Sequence, residues 1–201
     1  SGISTGNTYN TSIVCFSNAA NTYSGTVTVT PMTGTSGGSF LGLNATNALQ
    51  FATVNLNGNN TGNVFGTSPL VFNTGLGSAN LGALSGSASV VLTGYNQTTH
   101  VYGADSIALT AGSNNGTTTY LGIISGGGSL TKAGSGTMTL TGANSFTGSL
   151  TVDGGTLAAA LGNNSTNPVT GALGNTQVAR NITVNNTGTL RFDAGDVMGG
   201  A

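Results

Sequence analysis

The stretch SLTKAGSGTMTLTGANSFTGSLTVDGGTL, residues 129–157, decides the fold class of this 201-residue chain. Its short runs, such as TMTL at 137–140 and SLTV at 149–152, alternate hydroxyl and aliphatic side chains, and a glycine follows each within two residues. Alternation with a period of two is the pattern of a β-strand that buries one of its faces. We therefore predict that Leu150 and Val152 point inward, with Thr151 between them on the other face.

The same pattern recurs along the chain, whereas no window has the 3.6-residue period of a helix. Glutamate is absent, and the only helix-like run, LAAAL at 157–161, is too short to stand alone. The chain is therefore predicted to be all-β, with Val27 and Val29 inward and Thr28 outward. Further strands are predicted at TVTVT (26–30), ATVNLN (52–57) and NITVN (181–185).

A larger unit also repeats. NTYSGTVTV at 21–29 and NSFTGSLTV at 144–152 agree in residue type at each position. We predict a unit of about 21–143 and a second copy that starts at 144 and is truncated at 201. Residues 1–201 are then a single solenoid segment, a section of a longer chain, and Tyr23 and Phe146 should occupy equivalent places.

Stacked coils account for short strands that return at short intervals. In a parallel β-helix each coil adds one strand per sheet, at ~4.8 Å from the coil before it. Coils of about 20–25 residues are expected. Corners favour glycine because it adopts positive φ freely, which suits a chain with 35 glycines. Asparagines in adjacent coils can join their side-chain amides into ladders.

The segment IISGGGSLTKAGSGTMTLTGANSFTGSLTVDGGTL, residues 123–157, strongly resembles the autotransporter-associated β-strand repeat. ANTYSGTVTV at 20–29 matches the second half of that motif, and LGALSG at 81–86 resembles a segment found between copies. Met138 departs from the motif by replacing a usual leucine, and Ser149 with Leu150 replaces a usual Gly-Thr pair. The resemblance implies a right-handed parallel β-helix in secreted or surface-displayed bacterial passenger proteins.

Charge is scarce, at 3% of residues with a net charge of −1. A near-neutral chain argues against nucleic-acid binding, which needs a basic surface, and against recruitment to an anionic membrane. No apolar run approaches the ~20 residues of a membrane-spanning helix. Cys15 lies in the apolar run SIVCF and is expected to be a buried small hydrophobe. The charged residues are Asp105, Lys132, Asp153, Arg180, Arg191, Asp193 and Asp196.

No catalytic, cofactor or metal site is predicted, so we expect no enzyme activity. Glycoside hydrolysis needs two carboxylates that face the same bond, and the only close pair, Asp193 and Asp196, is expected to be a corner or surface pair. His100 has only Asp105 near it in sequence, which does not support a catalytic triad. Lys132 is expected to lie over a strand with its ammonium in solvent.

The predicted function is structural: a stalk, fibre or adhesive scaffold at the bacterial surface or outside the cell. The alternative is a module that binds glycans or host surfaces through loops around 95–120, where His100, Tyr102, Asp105 and Tyr120 gather. Tyr95, Tyr102 and Tyr120 could stack on sugars if they were exposed. The expected partners are further copies of the chain, stacked head to tail or laterally, or adjacent segments. Both ends of the solenoid are predicted to lack a capping element.

Overall fold

A computed structural model of the chain describes residues 3–4, 11–31, 38–60, 68–161 and 170–194. These residues contain no helix, so none of them forms a helix that could cross a membrane. The strands are β1 (Ile3–Ser4), β2 (Thr11–Phe16), β3 (Thr26–Val29), β4 (Gly38–Leu43), β5 (Leu49–Leu56), β6 (Leu70–Asn73), β7 (Ser78–Gly86), β8 (Val90–Asn96), β9 (Val101–Ser106), β10 (Ala108–Ala111), β11 (Thr118–Tyr120), β12 (Ile124–Ser125), β13 (Ser129–Lys132), β14 (Thr137–Leu140), β15 (Leu150–Ala159) and β16 (Ile182–Phe192). The all-β class predicted from the alternation is confirmed.

The strands form two sheets in which parallel pairing dominates. Sheet A joins β1, β2, β4, β6, β8 and β12 in that order, with β9 beside β8. Sheet B leads from β3 through β5 and β7 to the later strands and ends at β16. Within the described ranges only β1 with β2 and β8 with β9 pair antiparallel. From β2 to β8 the even-numbered strands lie in sheet A and the odd-numbered strands in sheet B, so that each pass of the chain around the two sheets adds one strand to each sheet.

The register shows how far the chain travels before it returns to the same place in sheet B. Leu109 pairs with Leu130, Leu130 with Leu150, and Leu150 with Ile182. Successive passes therefore take 21, 20 and 32 residues. The prediction of 20–25 residues per pass is right for the middle of the chain and wrong elsewhere, because the corners between strands absorb extra residues without changing the pairing.

Long strands of sheet B turn a corner while staying hydrogen-bonded. β15 pairs with β13 through Leu150–Val152 and with β14 through Thr156–Ala159, and its register to β16 shifts between Val152 and Gly154. Gly155, at the bend, has a φ of 60°, which glycine adopts without strain. Sheet B thus has two limbs. The second limb consists of β3, 53–56 of β5, 83–86 of β7, β11, β14, 156–159 of β15 and 189–192 of β16.

One continuous apolar core lies between the sheets. Leu150 and Val152 are fully buried, Val29 is buried and Val27 is half-buried, whereas Thr28 is exposed. The inward and outward positions predicted from the alternation are therefore confirmed. Inward residues also stack on inward residues of the next pass, as when Met138 pairs with Leu157 and Leu157 with Leu190.

Close backbone stacking explains many glycines that positive φ does not. A Cβ on Gly142 would overlap the carbonyl oxygen of Gly122, and one on Gly122 would overlap the carbonyl oxygen of Ala88. Neither glycine has a positive φ. These positions therefore require glycine because consecutive passes approach each other too closely for any side chain, a reason that the sequence pattern did not suggest.

The two repeat copies differ at their aromatic residue. Phe146 is fully buried between passes, its N–H bonded to the carbonyl of Ile124 and its own carbonyl accepting from Asn175 N–H. Tyr23 is 47% exposed, and its hydroxyl donates to the carbonyl of Thr26, only three residues on. The prediction that they occupy equivalent places is wrong, because neighbouring passes cover Phe146 on both sides whereas Tyr23 lies along its own segment.

Candidate functional site

The 95–120 region is built around a hairpin that interrupts the parallel pairing. β8 and β9 are antiparallel, with Tyr95 opposite Tyr102 and Asn96 opposite Val101. The Asn96 side-chain oxygen accepts hydrogen bonds from the backbone N–H groups of Thr98 and Thr99, both at 2.9 Å, which is the local bonding that makes asparagine a turn residue. The exposed tip of the hairpin therefore consists of neutral polar residues.

His100 closes the turn with a φ of 58°, in the left-handed region. Its backbone N–H donates to the carbonyl of Asn96 at 2.8 Å. Its ring Nδ1 lies 3.2 Å from the Tyr95 hydroxyl. His100 therefore lies in the turn of the hairpin, and its imidazole is engaged within the hairpin.

Tyr95 is the centre of a small aromatic cluster on the outer face of sheet A. Its ring stacks on Phe40 at 6.4 Å and meets Tyr102 edge-on at 5.1 Å between centroids. Tyr95 and Val71 are fully buried there. Burial raises the pKa of Tyr95 to about 12, and the nearby Tyr102 contributes to the increase. Because Tyr95 is covered, it does not offer a face for stacking on a sugar.

The tip of the hairpin is tied back across sheet A towards the first strands. Gln97 Nε2 donates to Asn44 Oδ1 at 2.8 Å, and the thiol of Cys15 lies 3.4 Å from Gln97 Oε1. Gly42 lies beneath Gln97, where a Cβ would come within 2.9 Å of Nε2. Cys15 is half-buried, and burial raises the pKa of its thiol. The cysteine is thus a packing residue with a weak hydrogen bond, although less buried than predicted.

Tyr120 and Asp105 do not join the aromatic cluster. Tyr120 is fully buried in the main core and donates its hydroxyl to the carbonyl of Ala88. Asp105 Oδ2 accepts from Gly75 N–H at 3.0 Å, which fixes the base of the hairpin to the loop after β6. The four residues expected to gather are therefore split: His100 and Tyr102 contact Tyr95, and the other two serve separate parts of the fold.

Lys132 lies inside the molecule, which contradicts the predicted solvent-exposed ammonium. Its side chain is fully buried in the inward column between Ala111 and Val152, its partners in β10 and β15. The Nζ atom donates to the carbonyls of Ala133 at 2.6 Å, Gly134 at 2.9 Å and Gly154 at 3.1 Å. Burial lowers the pKa of this lysine. The ammonium is held by carbonyl dipoles from two consecutive passes, and the lysine stem lies against Gly112, where a Cβ would come within 3.3 Å of Cδ and Cε.

Arg180 also donates hydrogen bonds to backbone carbonyls of neighbouring passes, at another corner of the chain. Its Nη1 donates to the carbonyls of Phe146 at 3.2 Å and Gly148 at 3.4 Å, and Nη2 donates to that of Leu173. The guanidinium lies 4.8 Å from the centre of the Phe146 ring, a favourable cation–π contact. Burial lowers its pKa. Lys132 and Arg180 therefore both join neighbouring passes through backbone oxygens, a role that was not predicted from the sequence.

Asn144 joins three passes and is another residue that the sequence reading missed. Its side-chain oxygen accepts from Ile124 N–H and its Nδ2 donates to the carbonyl of Ala172, both at 2.7 Å. Asn21, at the same place in the other repeat copy, donates its Nδ2 to Ala48 at 2.8 Å. The repeated Ala-Asn pair was the available signal. The predicted asparagine ladder is also confirmed in one place, where Asn80 donates to Asn47 at 2.5 Å.

The carboxylates are spread apart. Asp193 pairs with Arg191 at 2.5 Å in an exposed bridge that lowers the pKa of Asp193, and Asp196 lies outside the described residues. Asp153 is exposed at the corner of β15, where it accepts from Asn185. In the part of the chain that the structure describes, no three His, Cys, Asp or Glu residues come together as a metal site would require. The prediction that the chain has no catalytic site remains a prediction.

Residues 130–159 match the model of one protein family, described as passenger-associated-transport-repeat. The match covers β14, β15 and all of β13 except Ser129, and it includes Lys132 and Asn144. The autotransporter-type repeat recognised at 123–157 is thus confirmed for this part of the chain. Comparisons with curated proteins and with solved structures gave no match.

Proposed function

We propose that this chain is a right-handed parallel β-helix that forms a structural segment of a bacterial passenger protein. The observation that carries the proposal is the second limb of sheet B. Its seven strands, from β3 to β16, are all parallel, and each is one pass further along the chain. Parallel strands joined by such crossovers wind right-handed in almost all proteins, which supports that hand.

The proposed role is that of a stalk, fibre or scaffold without enzyme activity, outside the cell or on its surface, as a section of a longer chain. The matched repeat supports a passenger segment. Charged side chains support the scaffold role, since Lys132 and Arg180 are used to join passes. Length then comes from repetition of passes rather than from a larger core.

A tandem fusion tests the β-helix. Seven passes at ~4.8 Å each give a stack about 34 Å long. Two copies joined in frame should lengthen the particle by about that amount at constant cross-section, which small-angle X-ray scattering measures. A cross-section that grows with the second copy contradicts the proposal. A crystal structure of the chain would decide the hand directly.

A cellular test addresses the location. On intact bacteria that express the parent protein, an antibody against this segment should label the surface, and added protease should remove the label. Labelling only after cell lysis would contradict the surface location. Incubation of the purified chain with polysaccharides and peptides should give no turnover above a buffer blank, and turnover lost on Asp193→Ala would contradict the non-enzymatic role.

The second candidate is a binding module that uses the same scaffold. The β8–β9 hairpin favours it, because β9 pairs antiparallel with β8 beside otherwise parallel strands, and Thr98, Thr99 and Val101 of the hairpin are exposed. Glycan or host-surface recognition would then use the polar tip instead of the buried tyrosines. Replacing 97–99 by three glycines should abolish binding on a glycan array while circular dichroism stays unchanged.

A further inference from the structure

The pass formed by β6 and β7 lies between two other passes in both sheets. β6 pairs with β4 on one side and with β8 on the other. β7 pairs with β5 on one side and with β10 and β11 on the other. We call β4 with β5 pass I, β6 with β7 pass II, and β8 to β11 pass III. In a solenoid each pass contacts only its neighbours, so passes I and III are not expected to touch.

At the bend of sheet B, however, two side chains of pass III reach pass I. Ser113 Oγ donates to the carbonyl of Gln50 at 2.6 Å, and Asn114 Nδ2 donates to Thr53 Oγ1 at 3.0 Å. Pass II has Gly82 at this bend, and its carbonyl accepts from Asn114 N–H at 3.0 Å. A Cβ on Gly82 would overlap the backbone of pass I, so glycine lets these passes approach closely. We call the contact of pass III with pass I the corner clasp.

A second contact joins the same two passes at sheet A. Gln97, in the turn between β8 and β9, donates its Nε2 to Asn44 Oδ1 at 2.8 Å. Asn44 follows directly after β4 and therefore belongs to pass I. Gln97 Oε1 also lies 3.4 Å from the thiol of Cys15 in β2, one pass further back. We call this contact the sheet A clasp, and pass II thus lies between passes that are joined at both sheets.

The clasps differ from the other bonds between passes in the distance along the chain that they span. Asn80 donates to Asn47, 33 residues away, and Lys132 donates to the carbonyl of Gly154, 22 residues away. Both of these bonds join adjacent passes. The clasp bonds span 53, 61 and 63 residues and skip one pass. They therefore couple passes I and III directly, in addition to the coupling through pass II.

We propose that the two clasps hold passes I to III together as one cooperative unit, so that pass II opens only when the whole unit opens. Where passes contact only their neighbours, local opening can begin at any pass. Pass II is instead enclosed by bonds at the bend of sheet B and at sheet A. The unit is then a block that resists local opening inside a chain of otherwise separately opening passes.

Native-state hydrogen exchange of the whole chain, measured by mass spectrometry, tests this unit. The double variant Gln97→Ala, Ser113→Ala removes a donor from each clasp and leaves the strand pairing in place. The amides of β6 and β7 should then exchange roughly 10- to 100-fold faster, because each lost hydrogen bond lowers the free energy of opening. The amides of β13 to β15, outside the unit, should change by less than about threefold.

A second variant removes the same clasps from the side of pass I. Asn44→Ala with Thr53→Val deletes the two side-chain acceptors, and it should give the same pattern of exchange. Thr98→Ala with Ser135→Ala is the matched control. Thr98 is exposed beside Gln97, and Ser135 is exposed at the same bend of sheet B in the next pass. Neither hydroxyl bonds another residue in the part of the chain that the structure describes, so exchange should not change.

Unchanged exchange of β6 and β7 in both clasp variants would overturn the proposal. An equal increase in β13 to β15 would overturn it too, because the variants would then weaken the whole chain and not one unit. If circular dichroism shows that a double variant does not fold, the single variants Gln97→Ala and Ser113→Ala decide. Each should speed exchange roughly fivefold in β6 and β7 while β13 to β15 stay unchanged, and no such difference would refute the unit.

Discussion

The ammonium group of Lys132 donates a hydrogen bond to the carbonyl oxygen of Gly154, 3.1 Å away and in the next pass of the chain. A buried charge is costly unless it is fully hydrogen-bonded. Here three carbonyl oxygens take the three N–H donors that an ammonium has. The lysine thus links two passes at a corner where the backbone changes direction.

Lys132→Met tests this link. Methionine fills much the same space but leaves the three carbonyls without the ammonium, and we expect a loss of about 1–3 kcal/mol in the free energy of unfolding. Lys132→Ala should lose more, because it also leaves a cavity. Urea unfolding followed by circular dichroism measures both. Thr131→Ala, on the outward face, is the control and should change stability by less than ~0.5 kcal/mol. Equal stability of Lys132→Met and the wild type would contradict the role.

Asn144→Leu should destabilise the chain by about 2–5 kcal/mol, because a buried N–H and a buried carbonyl each lose their partner. The same substitution at Asn21, which is half-buried and makes a single inter-pass bond, should cost about 1 kcal/mol. Chemical unfolding of the two variants gives the comparison. A larger loss of stability for Asn21→Leu than for Asn144→Leu would show that Asn144 does not hold the passes together.

Gly142→Ala should be strongly destabilising, by about 3 kcal/mol or more, since the new Cβ would overlap the Gly122 carbonyl oxygen and force two passes apart. Gly103→Ala is the matched control. Its φ is not positive either, and its Cβ would meet the Gly94 carbonyl oxygen at 3.7 Å and the Asp105 backbone nitrogen at 4.0 Å, which are ordinary contacts. Thermal unfolding should separate the two variants clearly. If both melt together, close stacking is not the reason for glycine at 142.

Alkaline pH should unfold the chain partly through Tyr95. Its pKa is 10.0 in the unfolded chain and about 12 when buried, so the folded state keeps its proton where the unfolded state has lost it. The stabilisation is complete below pH 10 and is lost as the pH rises towards 12. Stability measured from pH 9 to 12 should fall less steeply in Tyr95→Phe. An identical slope in that variant would mean that other groups account for the loss.

The strands were predictable because alternation is a local property, and Leu150 and Val152 point inward as their pattern requires. The number of residues in each pass could not be predicted, since the corners between strands have no repeating pattern of side chains. Lys132 lies two residues after Leu130, on the same face of β13, so the alternation indicated an inward side chain. The solvent-exposed ammonium was predicted instead from the general preference of lysine for solvent. Tyr23 and Phe146 show the remaining limit. Similar local sequences give different burial when the neighbouring passes differ.

The unequal passes have a consequence for how such a chain can change. Leu109 and Leu130 are 21 residues apart and Leu150 and Ile182 are 32 apart, yet both pairs are in register. Insertions at corners are therefore neutral for the ladder, whereas a single added residue inside β14 would exchange its two faces. Insertions at corners should therefore be tolerated while strand lengths stay constant, and the corner between β8 and β10 already accommodates an additional strand, β9, without breaking the parallel ladder. The architecture separates the parts that must stay constant from the parts that are free to diversify.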